Sequence, residues 1–104
     1  MKTIIVADDS SIIVNIVKRA FEGEYNVLSA QNGEEAIQLL QNNNLDEIVG
    51  MLLDLNMPVV DGFGVLEYLS GKNINIPVMI ISGDNSKDTI TKAFEYNVVD
   101  VIEK

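Results

Sequence analysis

The sequence predicts an alternating α/β domain built on a doubly wound parallel sheet, and three observations carry that expectation. Short apolar runs rich in β-branched residues recur along the 104 residues, the stretches between them repeat apolar side chains at helical spacing, and the connections are brief. Strands that are apolar on both faces suit a sheet covered by helices on each side and joined by right-handed crossovers.

Taken in order, Thr3–Ala7 (TIIVA) is the first strand. A first helix follows, with Ser10 or Ser11 as its cap and Ile12, Ile13, Ile16, Val17, Ala20 and Phe21 forming one apolar stripe. Asn26–Ala30 is the second strand. Asn32 then caps a second helix whose first turn carries Glu34 and Glu35, favourable at the positive end of a helix dipole. Ala36, Ile37, Leu39 and Leu40 face inward, and the asparagines at 42–44 stop the helix in a solvated loop. Residues 48–53 (IVGMLL) are the third strand, 62–69 a short third helix closed by Gly71, Val78–Ser82 the fourth strand, Lys87–Phe94 the fourth helix and 98–102 the fifth strand. The chain reads as one domain, 1–104. It ends on this last strand, so a fifth covering helix is expected to be absent from it. Aliphatic residues of the fourth and fifth strands should then face water, and a homodimer through that open face, or a longer native protein, is expected to cover them.

Composition excludes several chemistries. Without cysteine there is no disulfide framework or thiolate, and without histidine no zinc site or histidine base, so any metal must be held by oxygen. A formal charge of −9 argues against gripping nucleic acid or an anionic membrane surface. No apolar stretch is long enough to span a membrane and no signal peptide is evident, which points to a soluble, cytoplasmic domain.

One stretch, MLLDLNMPVVDG (51–62), begins as a buried strand and breaks on a bare carboxylate, Asp54. A buried charge needs a partner. In a flavodoxin-like sheet of order 2-1-3-4-5, the first and third strands are neighbours, and ligands bind outside their C-terminal ends. Asp8 and Asp9 follow the first strand and Asp54 ends the third, so three carboxylates converge; Ser82 from the fourth strand and Lys104 after the fifth share that edge. Taken alone, Asp8 and Asp9 are ordinary caps, Ser82 a turn residue and Lys104 a solvated charge. Together they call for a divalent cation, and Mg²⁺, with hard oxygen ligands and a taste for phosphate, fits best. Asp54 is placed as the nucleophile that forms an aspartyl phosphate while the cation and Lys104 neutralise charge. Pro58 stiffens the loop that turns the Asn56 carbonyl toward the metal.

These residues resemble the response-regulator receiver domain of two-component signalling, and the resemblance covers the whole chain: Asp8 and Asp9, the LLDLNMPVVDG block, Ser82 with Gly83, and Lys104 stand in family order and spacing. The resemblance implies that Asp54 is the phosphoacceptor, that Asp9, Asp54 and the Asn56 main chain bind Mg²⁺ with Asp8 acting mostly through water, that Ser82 senses the phosphoryl group and that Lys104 contacts it. It implies a histidine kinase or histidine phosphotransfer protein as donor and a downstream output domain or protein as receiver of the signal. Asn56 and Asp84 resemble the pairing in members that hydrolyse their phosphoryl group quickly. Val101 departs from the family, which often has an aromatic there. A phosphatase of the haloacid-dehalogenase type is the alternative, weakened because Asn56 stands where that family needs a second acid; a flavin module is disfavoured by the charge of Asp8 and Asp9, and a phosphorylation-independent interaction module by the intact acid set.

Overall fold

The computed structural model describes residues 1–84 and 86–103. Its strands are β1 (Thr3–Ala7), β2 (Asn26–Ala30), β3 (Ile48–Asp54), β4 (Val78–Ser82) and β5 (Val98–Glu103), all parallel, in the order β2-β1-β3-β4-β5. The helices are α1 (Ser11–Ala20), α2 (Gly33–Asn42), α3 (Gly62–Gly71) and α4 (Lys87–Phe94). The doubly wound order expected from the sequence is the one observed. Boundaries differ in small ways: β3 takes in Asp54, β5 takes in Glu103, and α3 runs on through Gly71. A 3-10 turn at Leu45–Glu47 stands in the stretch read as loop, where the Asn44 side chain accepts a hydrogen bond from the Asp46 backbone N–H at 3.0 Å.

Among the described residues every α-helix begins with a side-chain cap. Ser10 accepts from the Ile13 N–H, Asn32 from Glu35, Asp61 from Gly64 and Ser86 from Thr89. At Asn32 the arrangement is reciprocal, since the Glu35 carboxylate accepts from the Gln31 N–H at 2.8 Å. Each such cap contributes about 1 kcal/mol. Because each helix follows a strand, all four caps sit at the C-terminal edge of the sheet, where orphan N–H groups and carboxylates collect.

Register divides the sheet into two unequal faces. Ile5, Ala7, Met51, Leu53, Val78 and Ile80 share one face and are buried with Ala36 and Leu40 of α2, Val65, Leu66 and Leu69 of α3 and Ala93 of α4. At about 1.5 to 3 kcal/mol for each large aliphatic chain, this layer is the main source of stability. On the other face Ile4 and Val6 are buried, while Val17 is the one buried residue of α1. The apolar stripe expected to seat α1 is split, with Ile12 70% and Ile16 59% exposed. α1 rests mainly on β1 and β2, and its far side is left open among the described residues. Beside it an open groove of about 290 Å³ is lined by Ile4, Phe21, Leu52, Pro77, Met79 and Val99 among others. Val99 is exposed there and Ile102 is exposed further along β5, whereas Val98 and Val101 are half-buried against the core.

Candidate functional site

The site is assembled where β1 and β3 end side by side. β3 stays apolar until Asp54, which still pairs with Ile81 of β4 and is only 1% exposed. Asp8, one residue beyond β1, continues the ladder through its N–H to the Ala30 carbonyl at 3.0 Å and is equally buried. Asp9 is exposed. One carboxylate oxygen from each of Asp8, Asp9 and Asp54 lies within 4.8 Å of the others.

Local turns aim these groups. Asp8 Oδ1 accepts from the Ser10 N–H at 2.8 Å, and Asp54 Oδ1 accepts from the Asn56 N–H at 3.0 Å. Both are side-chain-to-backbone turns that fix the carboxylate relative to its own loop. Gly62, the first residue of α3, closes the loop after Asp54: its N–H donates to the Leu55 carbonyl at 3.1 Å, and a Cβ there would stand 2.6 Å from the Asp54 carbonyl oxygen. Three carboxylates this close repel one another unless a cation intervenes. An all-oxygen donor set of this size fits a small, hard divalent ion.

Ser82, at the end of β4, is fully buried. Its hydroxyl is engaged by its own loop, donating to the Asp84 carbonyl at 3.1 Å and accepting from the Asp84 N–H at 3.0 Å. Lys104 lies outside the described residues. The structure therefore gathers Asp8, Asp9 and Asp54, sets Asn56 on the turn after Asp54, and holds Ser82 on the adjoining strand end. The apolar groove on the α1 face includes none of these residues, and its lining offers no chemistry.

Two features of the site escaped sequence reasoning. Asp84 organises the start of α4: its carboxylate accepts from the Ser86 N–H at 2.9 Å and from the Thr89 hydroxyl at 2.8 Å. The Ser86 N–H, then the Thr89 hydroxyl, hold this carboxyl below its ordinary value of 3.8. The spacing of Asp84, Ser86 and Thr89 ahead of a helical pattern was the available signal. The second feature is how the β3–α3 loop is held. Val59 has φ 67°, and the neighbouring Val60 carbonyl accepts from the Gly33 N–H of α2 at 2.8 Å.

Comparison with known proteins points the same way. The family model described as the response regulator receiver domain matches residues 4–104. The cell cycle transcriptional regulator CtrA of Caulobacter vibrioides is 35% identical over the whole chain, which covers 44% of that protein. The two-component response regulator ARR2 of Arabidopsis thaliana is 30% identical, with 15% of its length covered. The chain thus spans less than half of these curated relatives. Among solved structures, the receiver domain of the Francisella response regulator 1452 superposes with a TM-score of 0.87 at 30% identity, covering all of this chain and 84% of that one. A CheY-like receiver domain from Methanospirillum hungatei gives 0.86 at 23% identity over the whole chain and 82% of its own, a likeness of fold.

Proposed function

Because the chain belongs to the response regulator receiver domain family, we propose that it is a phosphoacceptor switch in which Asp54 takes a phosphoryl group from a phosphohistidine on a kinase or phosphotransfer protein. The observation that carries this reading is the convergence of the Asp8, Asp9 and Asp54 carboxylates within 4.8 Å, with Asp54 buried at the end of a central strand. An Asp54 carboxylate oxygen attacks phosphorus, the donor's N–P bond breaks, and the imidazole leaves with the electron pair and takes up a proton. With no histidine among these 104 residues, the phosphohistidine lies outside them.

Asp9, Asp54 and the Asn56 backbone carbonyl, with Asp8 through water, would hold Mg²⁺, which supplies charge neutralisation for the transferring group. Lys104 would add a second positive charge toward the phosphoryl oxygens. Ser82 senses the product: its hydroxyl leaves the Asp84 backbone for a phosphoryl oxygen, and the β4–α4 segment follows. The resulting shift between two arrangements of α4 and β5 presents a changed surface to an output domain or partner protein. No helix among the described residues is long and apolar enough to cross a membrane, and we place the switch in the cytoplasm.

Incubation with acetyl phosphate, with and without Mg²⁺, tests the reading by intact mass. A Mg²⁺-dependent gain of one phosphoryl group in the wild type, absent from Asp54→Asn, is the expected result. Steady turnover of general phosphate esters without a stable adduct would favour the haloacid-dehalogenase-type phosphatase instead.

A further inference from the structure

We propose that Gly33, the first residue of α2, and Gly64, in α3, are positioning residues for the metal-binding loop, acting together as a clasp on Val60. The proposal rests on the phosphoacceptor reading above. The loop over residues 55–61 carries Asn56, whose carbonyl must face the acids, yet its middle has no strand or helix of its own to hold it. Its ends are tied by the Gly62 N–H to Leu55 carbonyl bond. Between those ends Val60 is received by two helices at once.

The fit leaves no space. A Cβ on residue 33 would stand 2.3 Å from the Val60 carbonyl oxygen and 2.7 Å from its Cγ1; a Cβ on residue 64 would stand 2.5 Å from the same Cγ1, with its next neighbour at 3.7 Å. Real Cβ atoms do not approach so closely, so both positions require glycine while Val60 stays where it is. The Gly33 N–H fixes the carbonyl at 2.8 Å, setting the peptide plane as well as the position. α2 contributes none of the acids, and this grip is where it meets the loop that carries Asn56. A displaced Val60 carries with it the peptide chain back to Asn56, because Pro58 and the Val59 conformation leave little slack between them.

The two glycines meet different atoms, and that makes the clasp testable. Relief at position 64 needs only a shorter side chain on residue 60, whereas position 33 also opposes a backbone oxygen that no substitution of Val60 removes. Mg²⁺ is titrated against ¹⁵N-labelled wild type, Gly33→Ala, Gly64→Ala, and each combined with Val60→Ala. Thermal melts of the same proteins report folding, and Gly71→Ala, where a Cβ meets nothing within 4 Å, serves as control. In the wild type the Gly33 amide resonance should move along the same Mg²⁺ isotherm as Asp9 and Asp54. Either alanine variant should weaken Mg²⁺ binding about tenfold, the scale seen when support behind a metal ligand is lost. Val60→Ala should restore binding to Gly64→Ala and not to Gly33→Ala. Wild-type affinity in both alanine variants, or equal rescue of both, would overturn the clasp. If Gly33→Ala does not fold, Gly64→Ala and its rescue decide alone: loss with restoration supports the clasp, unchanged affinity overturns it. Failure of the wild type to bind Mg²⁺ would remove the functional reading and the clasp with it, while wild-type binding with insensitive variants removes the clasp only.

Discussion

Replacing Val59 with glycine should stabilise the protein. Val59 has φ 67° and is 76% exposed, so its side chain is held in a left-handed backbone conformation and recovers little by burial. For a residue with a Cβ that conformation costs roughly 1 to 2 kcal/mol, and branching at Cβ places valine at the upper end. Glycine removes the strain and adds about 0.5 to 1 kcal/mol of unfolded-chain entropy. The balance is a gain of about 1 to 1.5 kcal/mol, which raises Tm by roughly 4 to 12 °C in a domain of this size. Val59→Ala keeps the Cβ and should gain less, while Val59→Asn, better tolerated at positive φ, should fall between. Thermal melts by circular dichroism of the three variants check the order. A Tm for Val59→Gly at or below that of the wild type would refute the strain account, and so would an alanine variant as stable as the glycine one.

Asp54→Asn should lose phosphoryl uptake completely and melt a few degrees higher than the wild type without Mg²⁺, because one of three mutually repelling carboxylates is gone; differential scanning calorimetry with and without Mg²⁺ reads both the gain and the loss of a Mg²⁺ response. Asp84 has a folded value lowered by the Ser86 N–H and the Thr89 hydroxyl, so its contribution is present above the unfolded value near 3.8 and fades as pH falls below that through the depressed folded value. An acid titration followed at the Ser86 and Thr89 amides should show this, with the transition missing in Asp84→Asn. Asn56→Lys should lengthen the phosphoprotein half-life several-fold, since the amide that orients an attacking water is replaced by a bulky cation; decay of the intact-mass adduct measures it.

The fold was legible because the strands are short, β-branched and apolar on both faces, and because polar caps punctuate each helix; Thr3–Ala7, Asn26–Ala30, Val78–Ser82 and Lys87–Phe94 fall where periodicity puts them. Asp8, Asp9 and Asp54 were legible as a group because the strand order brings two strand ends together. What periodicity cannot say is what lies opposite a stripe. Ile12 and Ile16 obey helical spacing, and the structure leaves them exposed because α1 rests mainly on β1 and β2 and they point away from both. Val59 hides its conformation because a positive φ is ordinarily read from glycine or asparagine. The clasp on Val60 was out of reach for a related reason: the need for glycine at 33 and 64 arises from a loop distant in sequence from α2, and no local pattern records it.

The central claim is that Asp54 itself carries the phosphoryl group. Treating the phosphorylated protein with borohydride reduces an acyl phosphate to the corresponding alcohol, turning a phosphorylated aspartate into homoserine that peptide mass spectrometry can place. Homoserine at position 54, dependent on Mg²⁺ during phosphorylation, is the result expected here. Homoserine at position 8 or 9 instead, or at no position in a protein that has gained the phosphoryl mass, would contradict it.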